Sequence, residues 1–268
     1  MPKVIAFGTD KQAYFDLFIE SCERHSIEPV ILGWNEKWIG YGKRLLEIRN
    51  YIKNLPEKEI VIVVDPFDVI FLSGLDEIEY KFNKLSCAFL CGALKLGKLT
   101  GAIYNYEFNI SGKKLPPTPT NYNFVNTGTW ISRAGFAQYL IDELEDKFHM
   151  TDTSLDQQLM TYVYVHKLYN IDIDWKCEIF HSLLFKDFIT RRADLKDLKF
   201  IDDRVTNISS GLKPSILHAS GNTRMKELGL RLGYDEKILV PQNHFSNFTK
   251  KTIFHIGQIL KSRPKIEK

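Results

Sequence analysis

Five consecutive β-branched residues, Ile60-Val61-Ile62-Val63-Val64, run without polar alternation straight into Asp65-Pro66-Phe67-Asp68. A strand with one wet face alternates, so an uninterrupted apolar run reads as a central strand of a parallel sheet covered on both faces. It delivers two carboxylates to the carboxyl edge of that sheet, where open α/β folds bind ligands.

The rest of the chain fits this frame. Residues 3–8 read as a buried first strand, Tyr14, Leu17, Phe18 and Cys22 recur at helical spacing, and residues 29–33 read as a second strand, completing a βαβ unit. Leu45, Ile48, Ile52 and Leu55 share one face of a helix over 43–55 that Pro56 closes. A helix over 75–85 and a strand over 87–92 follow. Residues 93–122, rich in Gly, Asn and Tyr and containing Leu115-Pro116-Pro117-Thr118-Pro119-Thr120, read as a long surface excursion of the kind that often serves as a functional lid. Strand character resumes over 124–132, helices are expected over 135–148 and 154–168, and strands over 199–201 and 215–217, the last ending at His218. No repeat or low-complexity linker divides the chain, so one α/β domain over 1–246 is expected. In the tail, 247–268, Ile253, Ile256, Ile259 and Leu260 share a face among Lys250, Lys251, Lys261, Arg263, Lys265 and Lys268. A basic helix packed on the domain is expected there, contact with an anionic membrane being the alternative.

Composition excludes several classes. A chain of 268 residues that is 44% hydrophobic can bury one large core or two modest ones, and its net charge of +3 is spread along the sequence, so no field favours nucleic acid. Nowhere do about 18 apolar residues run together, as a membrane-spanning helix needs. The apolar stretch near the amino terminus is too short for a secretory signal. That leads to the expectation of a cytoplasmic protein of a microbe or virus, a clipped form, or a domain cut from a longer chain. Cys22, Cys87, Cys91 and Cys177 match no metal framework and read as reduced, mostly buried thiols.

Four segments carry chemistry. Asp65 and Asp68 at the edge of an apolar core either cap backbone amides or bind a hard divalent cation, which would relieve their repulsion and leave positions for phosphate oxygens. In Ile216-Leu217-His218-Ala219-Ser220-Gly221-Asn222-Thr223-Arg224, a strand delivers a ligand-type histidine, then small residues that admit an anion, then a cation. Asn126-Thr127-Gly128 interrupts an apolar strand, which suits hydrogen bonding to a hydroxyl-rich ligand. Asp156, in Ser154-Leu155-Asp156-Gln157-Gln158-Leu159, is either a first-turn helix acid or a site residue.

In this order, and with Leu32-Gly33-Trp34-Asn35-Glu36-Lys37-Trp38, these segments resemble the glycosyltransferase domain of the procollagen lysyl hydroxylase/glucosyltransferase proteins, related to collagen galactosyltransferases. The resemblance runs from about residue 3 to about residue 234. It implies a GT-A fold, a Rossmann-like, mostly parallel sheet with a metal-dependent UDP-sugar site. By the same resemblance Asp65, Asp68 and His218 correspond to Mn²⁺ ligands, Trp38 and Phe67 to aromatic positions around the uridine, and Thr9 to a nucleotide contact. Gly221 and Arg224 correspond to diphosphate-binding positions, and Asn126 and Asp156 to the donor-sugar side. The chain departs from the family in having Phe67 where Tyr is common, Asp156-Gln157-Gln158 where two acids are usual, and Leu90-Cys91-Gly92-Ala93 where a Ser-Ala-Glu-like segment is usual.

The expected activity is transfer of glucose or galactose from a UDP-sugar to a hydroxyl, on hydroxylysine or on a glycan. An inverting reaction would make Asp156 the candidate base, whereas a retaining one would leave it to bind sugar hydroxyls. A non-catalytic nucleotide-sugar-binding module is the first alternative. A metal-dependent phosphohydrolase is the second, and it lacks a nucleophile or second carboxylate cluster near either motif. A second copy of the chain is carried as a candidate partner.

Overall fold

The computed structural model describes residues 1–97, 101, 115–187, 189–201 and 204–242. The expected α/β architecture is present. β1 (Lys3–Phe7), β2 (Val30–Leu32) and β3 (Ile60–Val64) pair in parallel, with α1 (Phe15–Arg24) and α2 (Tyr41–Ile52) as crossovers. β5 (Phe89–Leu94), β6 (Phe124–Arg133) and β7 (Ile171–Ile173) complete a six-stranded sheet in the order β2-β1-β3-β6-β5-β7. Only β6 runs against its neighbours, so three of the five pairings are parallel.

The apolar run of β3 has the expected cause. Val61 and Val63 face one core, with Leu45, Ile48 and Ile52 of α2 and Leu140, Ile141 and Leu144 of α4 (Ala134–Phe148). Ile60, Ile62 and Val64 face another, with Phe18 and Cys22 of α1 and Ile78 and Phe82 of α3 (Leu75–Asn83). Each such side chain contributes roughly 1.5–3 kcal/mol by leaving water, so no position in β3 tolerates a polar residue.

A second sheet, β4-β11-β8, begins just after the carboxyl end of β3. It is built from β4 (Val69–Phe71), β11 (Ile216–Ala219) and β8 (Phe180–Leu183). β11 runs antiparallel to β4 and parallel to β8, which seats His218 opposite Val69 on one side and Ser182 on the other. A hairpin, β9 (Leu198–Ile201) and β10 (Arg204–Asn207), α5 (Asp156–His166), α6 (Lys226–Arg231) and a 3₁₀ turn (Glu236–Leu239) complete the described elements.

Several boundaries differ from expectation. β5 begins two residues later than expected and takes in Ala93 and Leu94, the start of the anticipated excursion; residues 98–100 and 102–114 of that excursion lie outside the described residues. His218 lies inside β11 rather than at its end, because pairing with β8 carries the strand through Ala219. The tail over 247–268 also lies outside the described residues. All four cysteines are free thiols, and burial raises Cys22, Cys87, Cys91 and Cys177 above the ordinary thiol range.

Candidate active site

The site is assembled where β3, β6 and β11 end or bend. The β5–β6 register slips between Cys91 and Gly92, which pair with Trp130 and Asn126, so Thr127, Gly128 and Thr129 arch out of that ladder. The arch is closed by its own chemistry: Oδ1 of Asn126 accepts from the Gly128 amide at 2.9 Å, and the Gly128 carbonyl accepts from the Asp65 amide at 2.8 Å. A polar Asn-Thr-Gly inside an apolar strand therefore binds the strand that carries the aspartates to the strand that carries Asn126.

Asp65 turns back on its own chain, Oδ1 accepting from the Phe67 amide at 3.1 Å. Asp68 is stitched to the second sheet, its carbonyl accepting from the Ala219 amide at 2.8 Å. His218 then lies beside it, with Nε2 3.1 Å from Oδ1 of Asp68. That approach lacks the alignment of a hydrogen bond, so Oδ1 of Asp68 is buried and unsatisfied. On the far side of the ring, Nδ1 lies 3.1 Å from Nδ2 of Asn126 and 3.2 Å from Oγ of Ser220. Nδ2 of Asn126 also donates to Ser220 Oγ at 2.7 Å and Ser182 Oγ at 3.2 Å. The imidazole is packed so closely on Gly128 that a Cβ there would lie 2.2 Å from Cε1. Burial by itself would lower the His218 pKa, but the charges of Asp68 and Asp65 outweigh it and raise the value, with Arg44 opposing.

The second half of the site is a buried ion pair. Arg44, on α2, donates from Nη2 to Oδ2 of Asp156 and, at 3.2 Å, to the carbonyl of Thr127 in the arch. Oδ1 of Asp156 accepts from the Gln157 amide at 2.7 Å. Both side chains are nearly sealed from solvent, at 6% and 4% exposure, which for charges of opposite sign is tolerable only because they meet. Burial opposes the Arg44 charge, yet Asp156 and Asp65 more than restore it.

The aromatic residues expected around a base lie on the same edge. Trp38 packs edge-on against Phe7 at the end of β1, with ring centroids 6.0 Å apart, and against Tyr41 at 5.2 Å. Thr9 accepts through its carbonyl from the Asn35 amide at 2.8 Å, which ties the loop after β1 to the loop after β2. Phe67 is held through its carbonyl by the Tyr14 amide at 3.1 Å. Gly221, with φ +71°, and Arg224 occupy the turn after β11, where Arg224 is exposed and bonded through its backbone to residues 191 and 193.

The structure thus brings Asp68, His218 and Asn126 into one cluster and links Asp156 to it through Arg44 and Thr127. It does not gather Asp65, Asp68 and His218 into a ready metal cage: among the described residues no group of three or more His, Cys, Asp or Glu is close enough to hold an ion. The donor set nevertheless fits a cation, because a buried carboxylate oxygen lacks a partner beside an imidazole that its neighbours have made more basic. Ser220 can accept from Nδ1–H of that imidazole, which frees Nε2 as a ligand. Arg44, Tyr41 and Ser182 are site residues that the sequence reading missed. The only signal for the first two was Gly40-Tyr41-Gly42 ahead of a helix, and Ser182 lies on a strand that was not anticipated.

The chain is similar to known proteins over most of its length. The chain is 27% identical over 236 residues to the procollagen-lysine,2-oxoglutarate 5-dioxygenase of Drosophila melanogaster, covering 83% of this chain and 31% of that protein. It is 25% identical to procollagen-lysine,2-oxoglutarate 5-dioxygenase 2 of Mus musculus, covering 83% and 30%, and 23% identical to uncharacterized protein R699 of Acanthamoeba polyphaga mimivirus, covering 76% and 42%. The chain thus spans about a third of the length of the curated dioxygenases it matches. Among solved structures, mouse xyloside xylosyltransferase 1 overlays with a TM-score of 0.47 at 11% identity, over 83% of this chain and 98% of that one. No helix among the described residues is long and apolar enough to cross a membrane. The family model of the PLOD GT domain matches residues 2–241, nearly the whole described chain, and the protein therefore belongs to that glycosyltransferase family.

Proposed function

We propose that the protein is a metal-dependent hexosyltransferase that moves glucose or galactose from a UDP-sugar to a hydroxyl, of hydroxylysine or of a glycan carried on it. The observation that carries the reading is the Asp68–His218–Asn126 cluster, which places an unsatisfied carboxylate and a basic imidazole on the sheet edge that α/β folds use for ligands. The family and the relatives named for procollagen lysine support this acceptor class.

Asp68 and His218, with Asp65 swinging from its turn, would hold Mn²⁺, which when bound neutralises the diphosphate leaving group. This chain's own groups supply the rest. Asn126 donates to Ser220 Oγ, and Ser220 in turn fixes the ring orientation of His218 through Nδ1. Trp38 and Phe67 offer faces for the base, and Thr9, Gly221 and Arg224 border the nucleotide and its phosphates. Asp156 has one oxygen on Arg44 and the other on the Gln157 amide, so it is held in place as an acceptor for sugar hydroxyls. That arrangement favours sugar binding over proton abstraction, since a base needs an oxygen free to face the attacking hydroxyl.

The test is UDP release from a panel of UDP-sugars with Mn²⁺, comparing wild type with Asp68→Ala. Metal-dependent release from one sugar, reduced by about 100-fold or more in the variant, is expected. UDP binding without release from any sugar, with or without a hydroxylysine peptide, would instead mean a binding module.

A further inference from the structure

The sequence Gly40-Tyr41-Gly42 opens α2 with two residues that can carry no side chain. A Cβ on Gly42 would lie 1.9 Å from the Thr151 carbonyl oxygen, and one on Gly40 2.5 Å from that of Asp152. Both obstacles are backbone, so nothing can move aside cheaply. The contact is held by the Gly42 amide donating to the Ser154 carbonyl at 3.0 Å and the Lys43 amide to the Asp152 carbonyl at 2.9 Å. The amino end of α2 is therefore clamped onto the loop that leads into α5 and Asp156, and the one side chain between the glycines is committed in direction.

That side chain stands between the two ends of the expected donor. Its ring centroid is 5.2 Å from that of Trp38, on the base side, and 5.5 Å from Cζ of Arg44, which holds Asp156 on the sugar side. The ring remains partly exposed, so a ligand can reach it. Resting on the transferase reading above, we infer that Tyr41 is a specificity-determining residue whose phenol donates a hydrogen bond to one hydroxyl of the donor hexose.

The chemistry favours a sugar hydroxyl over a phosphate oxygen. Burial and the nearby charges of Asp156, Asp65 and Asp68 push the phenol up to about 12, against the pull of Arg44, so at neutral pH it is a donor among acceptors. A hexose hydroxyl suits such a setting, since it can accept from the phenol while donating to a carboxylate. A phosphate oxygen can only accept, so it could take the phenol's proton but could offer none to the carboxylate beside it.

Tyr41→Phe removes the hydroxyl and keeps the ring against Trp38 and Arg44, so the fold is retained, which an unchanged melting temperature verifies. Calorimetry on the whole chain with Mn²⁺ should find the UDP-hexose that wild type prefers bound about tenfold more weakly by the variant, with UDP itself within about twofold. The same hexose lacking one hydroxyl at a time supplies the decisive reading. For one deoxy analogue, wild type should lose the same factor and Tyr41→Phe should lose nothing further. Equal binding of the intact UDP-hexose by both proteins, or a parallel loss for UDP and UDP-hexose, overturns the assignment while leaving the transferase reading in place. Wild type that binds no UDP-sugar overturns both.

Discussion

Two aspartates, Asp156 buried and Asp68 partly so, sit on the same edge of the molecule and are treated in opposite ways. Asp156 is neutralised, with Arg44 on one oxygen and a backbone amide on the other. Asp68 has an oxygen that is buried, close to an imidazole, and unsatisfied. The difference teaches that burial of a carboxylate is not in itself a sign of a ligand site. The first aspartate is a finished joint between α2, the β6 arch and α5, and the second is a socket. Stability measurements separate them. Arg44→Ala leaves the Asp156 charge buried and alone, and should cost about 3–5 kcal/mol in chemical denaturation, the usual cost of breaking a buried pair. Asp68→Ala removes a carboxylate that is partly exposed and whose one oxygen meets only the His218 imidazole, without a hydrogen bond, and should change stability by less than about 1 kcal/mol at neutral pH. Comparable losses from the two substitutions would erase the distinction.

The neighbouring histidines of the second sheet make the same contrast with a different charge. His218 faces Asp68, which favours the imidazolium. His181, on β8, lies between neutral partners, with Nδ1 3.0 Å from Nδ2 of Asn207 and Nε2 3.2 Å from the Tyr122 hydroxyl, which in turn donates to Asp197 at 3.3 Å. Burial, only partly offset by Asp197, lowers His181 to about 4 from its ordinary 6.5. A histidine whose native pKa is depressed is protonated first in the unfolded chain, so stability contributed by its neutral form is present above about 6.5 and lost as pH falls toward 4. At ~1.36 kcal/mol per pH unit the loss is about 3 kcal/mol. His218 has the opposite sign, stabilising at low pH and losing that contribution as pH rises through its raised native value. Denaturation midpoints of wild type and His181→Gln between pH 4 and 7 should show the acid-side slope vanish in the variant. A slope that persists would place the acid sensitivity elsewhere.

Much of this was legible in the sequence, and what was not has physical causes. The β3 run declared itself because burial on both faces leaves no alternation to misread, and Asn126-Thr127-Gly128 stood out because polar residues interrupt a strand only for a reason. Arg44 was illegible because a charged residue on an amphipathic helix ordinarily faces water, and its buried partner lies over a hundred positions away. β4, β8 and β10, with three or four residues each, are too short to show a period, and β4 and β8 exist through pairing with β11, far along the chain. The cluster of Asp68, His218 and Asn126 depends on those pairings. Its members could be named from the motifs, but the unsatisfied oxygen and the ring held on Gly128 required the fold.

Gly128 gives the finest test of the socket, because it touches the imidazole without touching any charge. A methyl group there would lie 2.2 Å from Cε1 and 2.8 Å from Nε2 of His218, so the ring must tilt or the arch must open. Opening the arch strains the bonds that join Gly128 to Asn126 and Asp65, whereas tilting the ring moves Nε2 away from Asp68. Gly128→Ala should therefore cost about 1–3 kcal/mol of stability, the range for overpacking in a closed site. It should also weaken Mn²⁺ binding, read by titration calorimetry of the nucleotide-free protein, by about tenfold, as expected when the support of a metal-ligating histidine is disturbed. The joint at Arg44 and Asp156 predicts no such coupling, since Arg44→Lys keeps a cation beside Asp156 and leaves His218 where it is. Loss of cation affinity in Arg44→Lys equal to that in Gly128→Ala would show that the two halves of the site are one.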